Sequence, residues 1–483
     1  MPPAPAADPQ PDPSSLAALR ARHGDDYRWR VLLAVMIGTM ASIMASTIVN
    51  VAVPDMSRVF TLGQERAQWL SAGFMAAMTV SMLTTPWLLD RFGYRRTYMG
   101  AVALLMLGGV AGGLAGSFEL VLAMRVVEGL SAGVLQPIPA IVILHAFERH
   151  EQGRAMGIFG FGVVLAPAIG PSIGGVLVEA FGWRSIFFVV APFCAVALVL
   201  AQRYLPHSAP GGGAVNAAGR RLDVPGLALL TVVVLGTLNG LVQLHHGSAA
   251  AGALLLVAAA ALAGFVARQR RALHPLMQLG LFASRAFTMG GCVAFIYGMA
   301  LFGSTYLVPV FMQLALRLPA SQAGAVLLPA GLVLAVTIPL AGRLADRQPV
   351  HRLVSVGLGL LAFSFVVMLS VGLQTALWLI TLWAVVGRIG LGFVLPSLNL
   401  GAMRGLAPAF ISQGSSTINF LRQAGGAVGV NLVGIVLEWR LRVHAAEPVL
   451  AFHETFGLLG AITALAVVAA WQMRAPAPES LTA

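Results

Sequence analysis

The sequence predicts an all-α polytopic membrane protein of fourteen spans, and three observations carry that prediction. Hydrophobic residues make up 58% of the chain and charged ones only 10%, whereas about a quarter of a soluble domain is charged. The apolar residues arrive in blocks of about twenty, the length that crosses a bilayer as a helix. The basic residues punctuate the ends of those blocks, as topology signals do.

The formal charge of +12 comes entirely from arginine, with no lysine in the chain. These arginines do not gather on one face, so the charge is not a nucleic-acid footprint. Cys194 and Cys292 both fall within apolar blocks, which excludes a disulfide framework or a paired-cysteine metal site. No phosphate-binding loop, intramembrane His cluster or pair of carboxylates is visible, which argues against an enzyme and leaves the expected cofactors at none, and no Walker-type sequence points to ATP.

Residues 1–29 are rich in Pro, Ala and Asp and lack the apolar core of a cleavable signal. They read as a disordered cytoplasmic tail, with the first span acting as the signal. Spans follow near 31–54, 67–89, 97–116, 119–143, 154–178 and 185–204. Two more, near 224–244 and 248–268, are flanked by the longest internal loops, 205–222 and 269–286, the first of them rich in Gly and Ala. The remaining six lie near 287–312, 321–343, 353–372, 376–402, 414–437 and 455–473, and residues 475–483 form a short tail. With a cytoplasmic N-terminus, 21 of the 30 arginines fall inside and 6 outside. The excess of inside charge places both termini in the cytoplasm of a cell or inner membrane.

The loop after span two reads LLDRFGYRR and that after span ten reads GRLADRQPVHR, so Asp346-Arg347 repeats Asp90-Arg91. Two copies imply duplicated halves. The expected domains are a six-helix half over 30–204, an insert of two helices and their linkers over 205–286, and a second six-helix half over 287–474.

Five stretches together, STIVNVAVP, LLDRFGYRR, RVVEGLSAG, APAIGPSIGG with WRSIFF, and NFLRQAGGAVG, resemble the major facilitator superfamily. The likeness is to its fourteen-span drug:proton antiporter branch, the EmrB/QacA type. It implies the major facilitator fold and a conformational gate at Asp90, Arg91, Gly93, Arg95 and Arg96, with Asp346 and Arg347 in the second copy. It also implies a pliable antiporter helix at Gly170, Pro171, Gly174 and Gly175. The chain departs from the branch at Pro86 and Tyr94 in the loop. It carries Glu128 where Gln is usual, and Ala45 where span one usually holds Asp.

Beside the resemblance, the residues speak for themselves. Gly93 permits a tight reversal, and Arg95 and Arg96 can reach lipid headgroups. Arg125 lies within span four, where an arginine is expensive without a cavity or partner. Glu128, three residues on, shares its helical face and is the one acid deep within a span. Burial and the neighbouring arginine pull its proton affinity in opposite directions, so the pair can couple proton movement or serve only to offset its own burial. Asn50, Gln136, Asn399, Asn419 and Arg422 are candidates for the lining of a substrate cavity.

The expected function is a secondary active exporter of small hydrophobic or cationic compounds in exchange for protons, by alternating access. The absence of acids from the second-half spans weakens the case for dications. A dedicated exporter of one metabolite or lipid-like molecule, or a sensor on a transporter scaffold, are the alternatives. The EmrB side of the resemblance also implies a periplasmic adaptor protein as partner.

Overall fold

The computed structural model describes residues 21, 24, 26–210, 215, 221–245 and 250–474. Most of the expected tails, much of the first linker, and Arg20, Arg22 and Arg220 lie outside the described residues.

In a bilayer every backbone N–H and C=O must be satisfied within the protein, and a helix does this locally. The described chain is accordingly helical. In order it forms α1 (Tyr27–Val59), α2 (Gln64–Ser81), α3 (Thr85–Gly113), α4 (Phe118–Leu135), α5 (Ile138–Ala146), α6 (Gln152–Phe181), α7 (Ser185–Phe188) and α8 (Val190–Tyr204). There follow α9 (Val224–His245), α10 (Ala250–Arg271), α11 (Arg285–Val310), α12 (Ala320–Arg347), α13 (Val350–Val367), α14 (Leu377–Met403), α15 (Ile411–Val443) and α16 (Pro448–Trp471).

Thirteen stretches among the described residues are long and apolar enough to cross a membrane. One of them, Arg66–Gly113, has 48 residues. As a single helix it would run about 70 Å, more than twice a hydrocarbon core of about 30 Å. It is not a single helix. Gly93 takes φ 76° and ψ 173°, and the Thr97 hydroxyl donates to the Leu88 carbonyl at 2.9 Å. In an unbroken helix those residues would stand about 13 Å apart along the axis, so the chain folds back at Gly93. The expected spans 67–89 and 97–116 are the two arms of this hairpin. The next turn ends at Ser117, whose side chain caps α4 by accepting from the Leu120 N–H at 3.3 Å.

Helix α1 packs on α6 and α8, and α4 packs on α2 and α3. Later in the chain α11 packs on α15, and α14 packs on α12 and α13. Early helices meet late ones most extensively where α6 lies against α12; α6 also touches α14, and α15 touches α2, α3 and α5. Helices α9 and α10 pair with each other, and α9 touches both α2 and α15. The base of this pair is tied by Asp223, which accepts from Arg268 Nε at 2.6 Å, Gln269 Nε2 at 2.9 Å and the Gly226 N–H at 3.1 Å. Leu256, Val257, Leu332 and Val336 are exposed on outer helix faces, where lipid is their natural solvent.

Candidate functional site: a buried ion pair and two helix seams

The three-residue spacing in α4 does what helical geometry requires. Arg125 Nη1 donates to Glu128 Oε2 at 2.7 Å, with 0% of the Arg125 side chain and 1% of the Glu128 side chain exposed. Arg125 also donates to the carbonyls of Ala45 in α1, at 3.1 Å, and Leu70 in α2, at 3.2 Å. Its guanidinium lies 4.3 Å from the centroid of the Phe74 ring, a favourable cation–π geometry. Ala45, where the resemblance would place a carboxylate, offers only its backbone.

The glycines around the pair explain its enclosure. A Cβ on Gly129 would stand 3.0 Å from the Phe74 backbone carbon, and one on Gly133 2.9 Å from that of Met78, so α2 lies directly on α4. On the other side, a Cβ on Gly108 or Gly109 of α3 would come within 3.1 Å of the Glu128 side chain. A charged pair taken out of water in this way stays ionised only while both partners hold their hydrogen bonds.

The two copies of the Asp-Arg motif sit differently. Around Gly93 the loop is zipped to the segment after α8: Tyr94 N–H bonds to Ser208 O and Arg95 N–H to Pro206 O, both at 3.1 Å. Arg95 Nη1 meets His207 Nε2 at 2.6 Å, and its Nη2 donates to the Gln202 carbonyl. Arg91 stacks over Trp87 and Phe92, with centroid distances of 5.4 and 5.6 Å, and Arg96 is exposed. Asp90 lines a cavity of about 60 Å³ with Trp87, Arg221, Asp223, His274 and Gln413.

Asp346, at the end of α12, reaches across to α6. Its carboxylate accepts the N–H of Gly153 at 2.6 Å and of Arg154 at 2.8 Å, and so caps the positive end of that helix. Arg347 beside it is exposed. The contact continues as a seam of glycines. A Cβ on Gly342 would stand 2.7 Å from Gly157 Cα, one on Gly157 3.0 Å from Pro339 Cα, and one on Gly160 2.6 Å from Ile338 Cγ2. Sequence reasoning missed Gly153, Gly157 and Gly342, although the four-residue spacing in GRAMG was the available signal.

Further along α6, Gly170 and Gly174 face α1, where a Cβ would meet Thr47 Oγ1 at 3.1 Å and Ile48 Cγ1 at 2.6 Å respectively. Gly175 faces open space. The side chain of Pro171 lies outside the described residues. The run Gly170–Gly174 therefore packs on α1, while the N-terminal part of the same helix makes the seam with α12.

Of the cavity candidates, Asn50 accepts from Ser71 at 2.6 Å. One turn along α2, Met75 Sδ receives Gln423 Nε2 of α15 at 3.7 Å. Asn419 donates to Ser415 O at 2.9 Å and accepts from Arg422 Nη2 at 3.1 Å. Ser415 in turn donates to Pro137 O at 3.2 Å, which brings α15 beside Gln136 at the break between α4 and α5. Asn399 of α14 bonds back to Leu395 O at 3.3 Å. Gln136 and Asn419 thus lie together where α15 meets the α4–α5 break, with Arg422 adjoining, whereas Asn50 stands apart on α1 against Ser71 of α2 and Asn399 on α14.

The model of the Major Facilitator Superfamily matches residues 35–430, most of the chain. This chain belongs to the major facilitator superfamily. Among relatives in that superfamily, a "Multidrug resistance protein B homolog" of Mycobacterium tuberculosis is 32% identical over 411 residues, covering 83% of this chain and 75% of that protein. The "Lincomycin resistance protein LmrB" of Listeria monocytogenes is 28% identical, covering 83% and 84%. The "Tetracenomycin C resistance and export protein" of Streptomyces glaucescens is also 28% identical, covering 89% and 80%. The human organic anion transporter MFSD10 (TETRAN) superposes with a TM-score of 0.66 at 16% identity, over 92% of this chain and 99% of that one. At that identity the likeness speaks for the fold alone. Members of the major facilitator superfamily are multi-pass membrane transporters of small molecules rather than enzymes, and the helical architecture here is theirs.

Proposed function

We propose that this chain is a secondary active exporter of small hydrophobic compounds, driven by protons and working by alternating access in the cell membrane. In this reading the hairpin at Gly93 crosses the membrane twice, which makes fourteen spans with both termini cytoplasmic. Residues 30–204 and 287–474 are the two six-helix halves, and 205–286 carry the inserted pair. The resistance and export proteins among its relatives support the substrate class.

The observation that carries the mechanism is the Arg125–Glu128 pair, closed off from solvent between α2, α3 and α4. Its net charge is near zero while Glu128 is ionised, and that cancellation is what lets it stay buried. Movement of α2 or α3 admits water, Glu128 takes or gives a proton, and the change in charge biases which arrangement of the helices is stable. In this reading Asp346 on the N-terminus of α6, with the glycine seam beside it, is the latch of the cytoplasmic side, and its two bonds to the Gly153 and Arg154 N–H groups support that role.

The test is proton release from purified protein in proteoliposomes on addition of lipophilic compounds, compared with Glu128→Gln. Release by the parent and none by a folded, ligand-binding Glu128→Gln supports antiport through Glu128. Equal release by both assigns the pair a structural role and ends this mechanism.

A further inference from the structure

Helix α14 repeats the pattern of α4. Arg388 is followed after four residues by Gly392 and after eleven by Asn399, as Arg125 is followed by Gly129 and Gln136. Their surroundings correspond as well, α4 lying on α2 and α3, and α14 on α12 and α13. At the third position the repeat fails: where α4 has Glu128, α14 has Leu391.

The second-half arginine is therefore left without the counter-charge of the first. Among the described residues no carboxylate or carbonyl accepts a hydrogen bond from Arg388, whereas Arg125 has three such acceptors. Arg388 lines a cavity of about 30 Å³ with Ser304, Leu361, Ser364 and Leu391, room for one or two water-sized atoms. A second arginine stands close by. Tyr297 of α11 bonds to the Leu391 carbonyl at 3.4 Å, three residues along α14 from Arg388. Gly298, the next residue, lets α11 settle on α15 beside Arg422, where a Cβ would be 2.9 Å from Gly426 N. Arg422 itself donates to the neutral Asn419. The acids of the later helices are engaged elsewhere, Asp346 on α6, Glu438 with Arg442 and Glu454 with Arg440.

Two cations within membrane spans and no protein anion between them form a site that wants an oxyanion, and guanidinium forks match carboxylate and phosphate oxygens. We infer that Arg388 and Arg422 receive the acidic group of an amphipathic substrate, whose apolar body lies along the leucines and phenylalanines of the same helices. The inference rests on the reading of the chain as an exporter of hydrophobic compounds, and it narrows them to those bearing a carboxylate or similar oxyanion.

The experiment measures binding, without any gradient, to the full chain in phosphatidylcholine nanodiscs, with empty nanodiscs subtracted. The probes are dansylaminoundecanoic acid and its uncharged methyl ester. The parent is expected to prefer the acid by about tenfold, one charge-assisted pair. Arg388→Gln and Arg422→Gln bring the two probes level, and Arg388→Lys restores part of the preference. Leu391→Glu keeps the arginine but supplies the missing partner, so it too abolishes the preference, and it stands as the test if Arg388→Gln does not fold. Phosphatidylglycerol that competes with the acid in the parent, and not in Arg388→Gln, identifies lipid headgroups as a second source of the same oxyanion. A parent that binds acid and ester alike, or a preference that survives all three substitutions, overturns the inference. Loss of substrate-driven proton release with the acid preference intact would instead sink the antiport reading and leave this site standing.

Discussion

Asp346 of α12 accepts the backbone N–H of Gly153 at 2.6 Å, 193 residues away along the chain. The bond joins the end of one long helix to the beginning of another, and the Arg154 N–H doubles it.

If this capping contact holds the cytoplasmic side closed, Asp346→Asn should open it. Loss of a charged cap at a helix N-terminus is worth about 1–2 kcal/mol, a shift of roughly five- to thirty-fold in the closed-to-open ratio. Spin labels at the exposed Arg343 and at Arg149 are expected to show a longer, broader distance distribution in the variant. An unchanged distribution would remove Asp346 from the gate.

The glycine seam makes a sharper demand. Gly342→Val places atoms where Gly157 Cα already stands, 2.7 Å from the new Cβ, and backbone cannot move aside as a side chain can. Closure is expected to fail and transport to fall by at least about tenfold, because an overpacked contact commonly costs about 1–3 kcal/mol. Melting of each variant in detergent separates a jammed seam from a misfolded chain.

Removing one partner of the buried pair should be far more damaging than removing both. Arg125→Leu leaves Glu128 alone among apolar groups and is expected to lower stability by about 3–5 kcal/mol. The double substitution Arg125→Leu, Glu128→Leu should recover most of it while remaining inactive in proton release. Thermal unfolding of the two variants decides this, and equal damage by both would mean that the pair is not a coupled unit.

The paired helices α9 and α10 carry a pH dependence at their base, outside the membrane-spanning stretch. Burial acts to raise the Asp223 carboxyl, but the bonds from Arg268, Gly226 and Gln269 and the Arg268 charge outweigh it and hold the group below its ordinary value. A group whose folded value is depressed contributes stability above its unfolded value, near pH 4, and loses it as the pH falls through the folded value. Melting of the parent between pH 7 and pH 3 should therefore show an acid-labile component that Asp223→Asn lacks. Matching acid profiles would contradict the anchoring role.

Much of this was readable along the chain. Arg125 and Glu128 were expected to meet because three residues return a helix to the same face, and they do so at 2.7 Å. Gly93 was expected to reverse the chain because glycine alone enters that backbone region at little strain, and φ there is 76°. The second Asp-Arg copy was visible at Asp346, but its partners were not, since two backbone N–H groups in a distant helix carry no sequence mark. The acceptors of Arg125 on Ala45 and Leu70 were hidden for the same reason.

The sequence by itself determined what depends on local spacing and on the solvent: apolar blocks that must be helical in lipid, arginines that set their ends, and a charged pair one turn apart. The tertiary structure alone decided which helices touch. It set Asp346 on α6 and pressed Gly157 against Gly342. It also set Tyr297 of α11 on the Leu391 carbonyl near Arg388 and Gly298 against the backbone at Arg422. Such contacts arise from close packing between segments hundreds of residues apart, where the energy lies in the fit of two surfaces rather than in either sequence read alone.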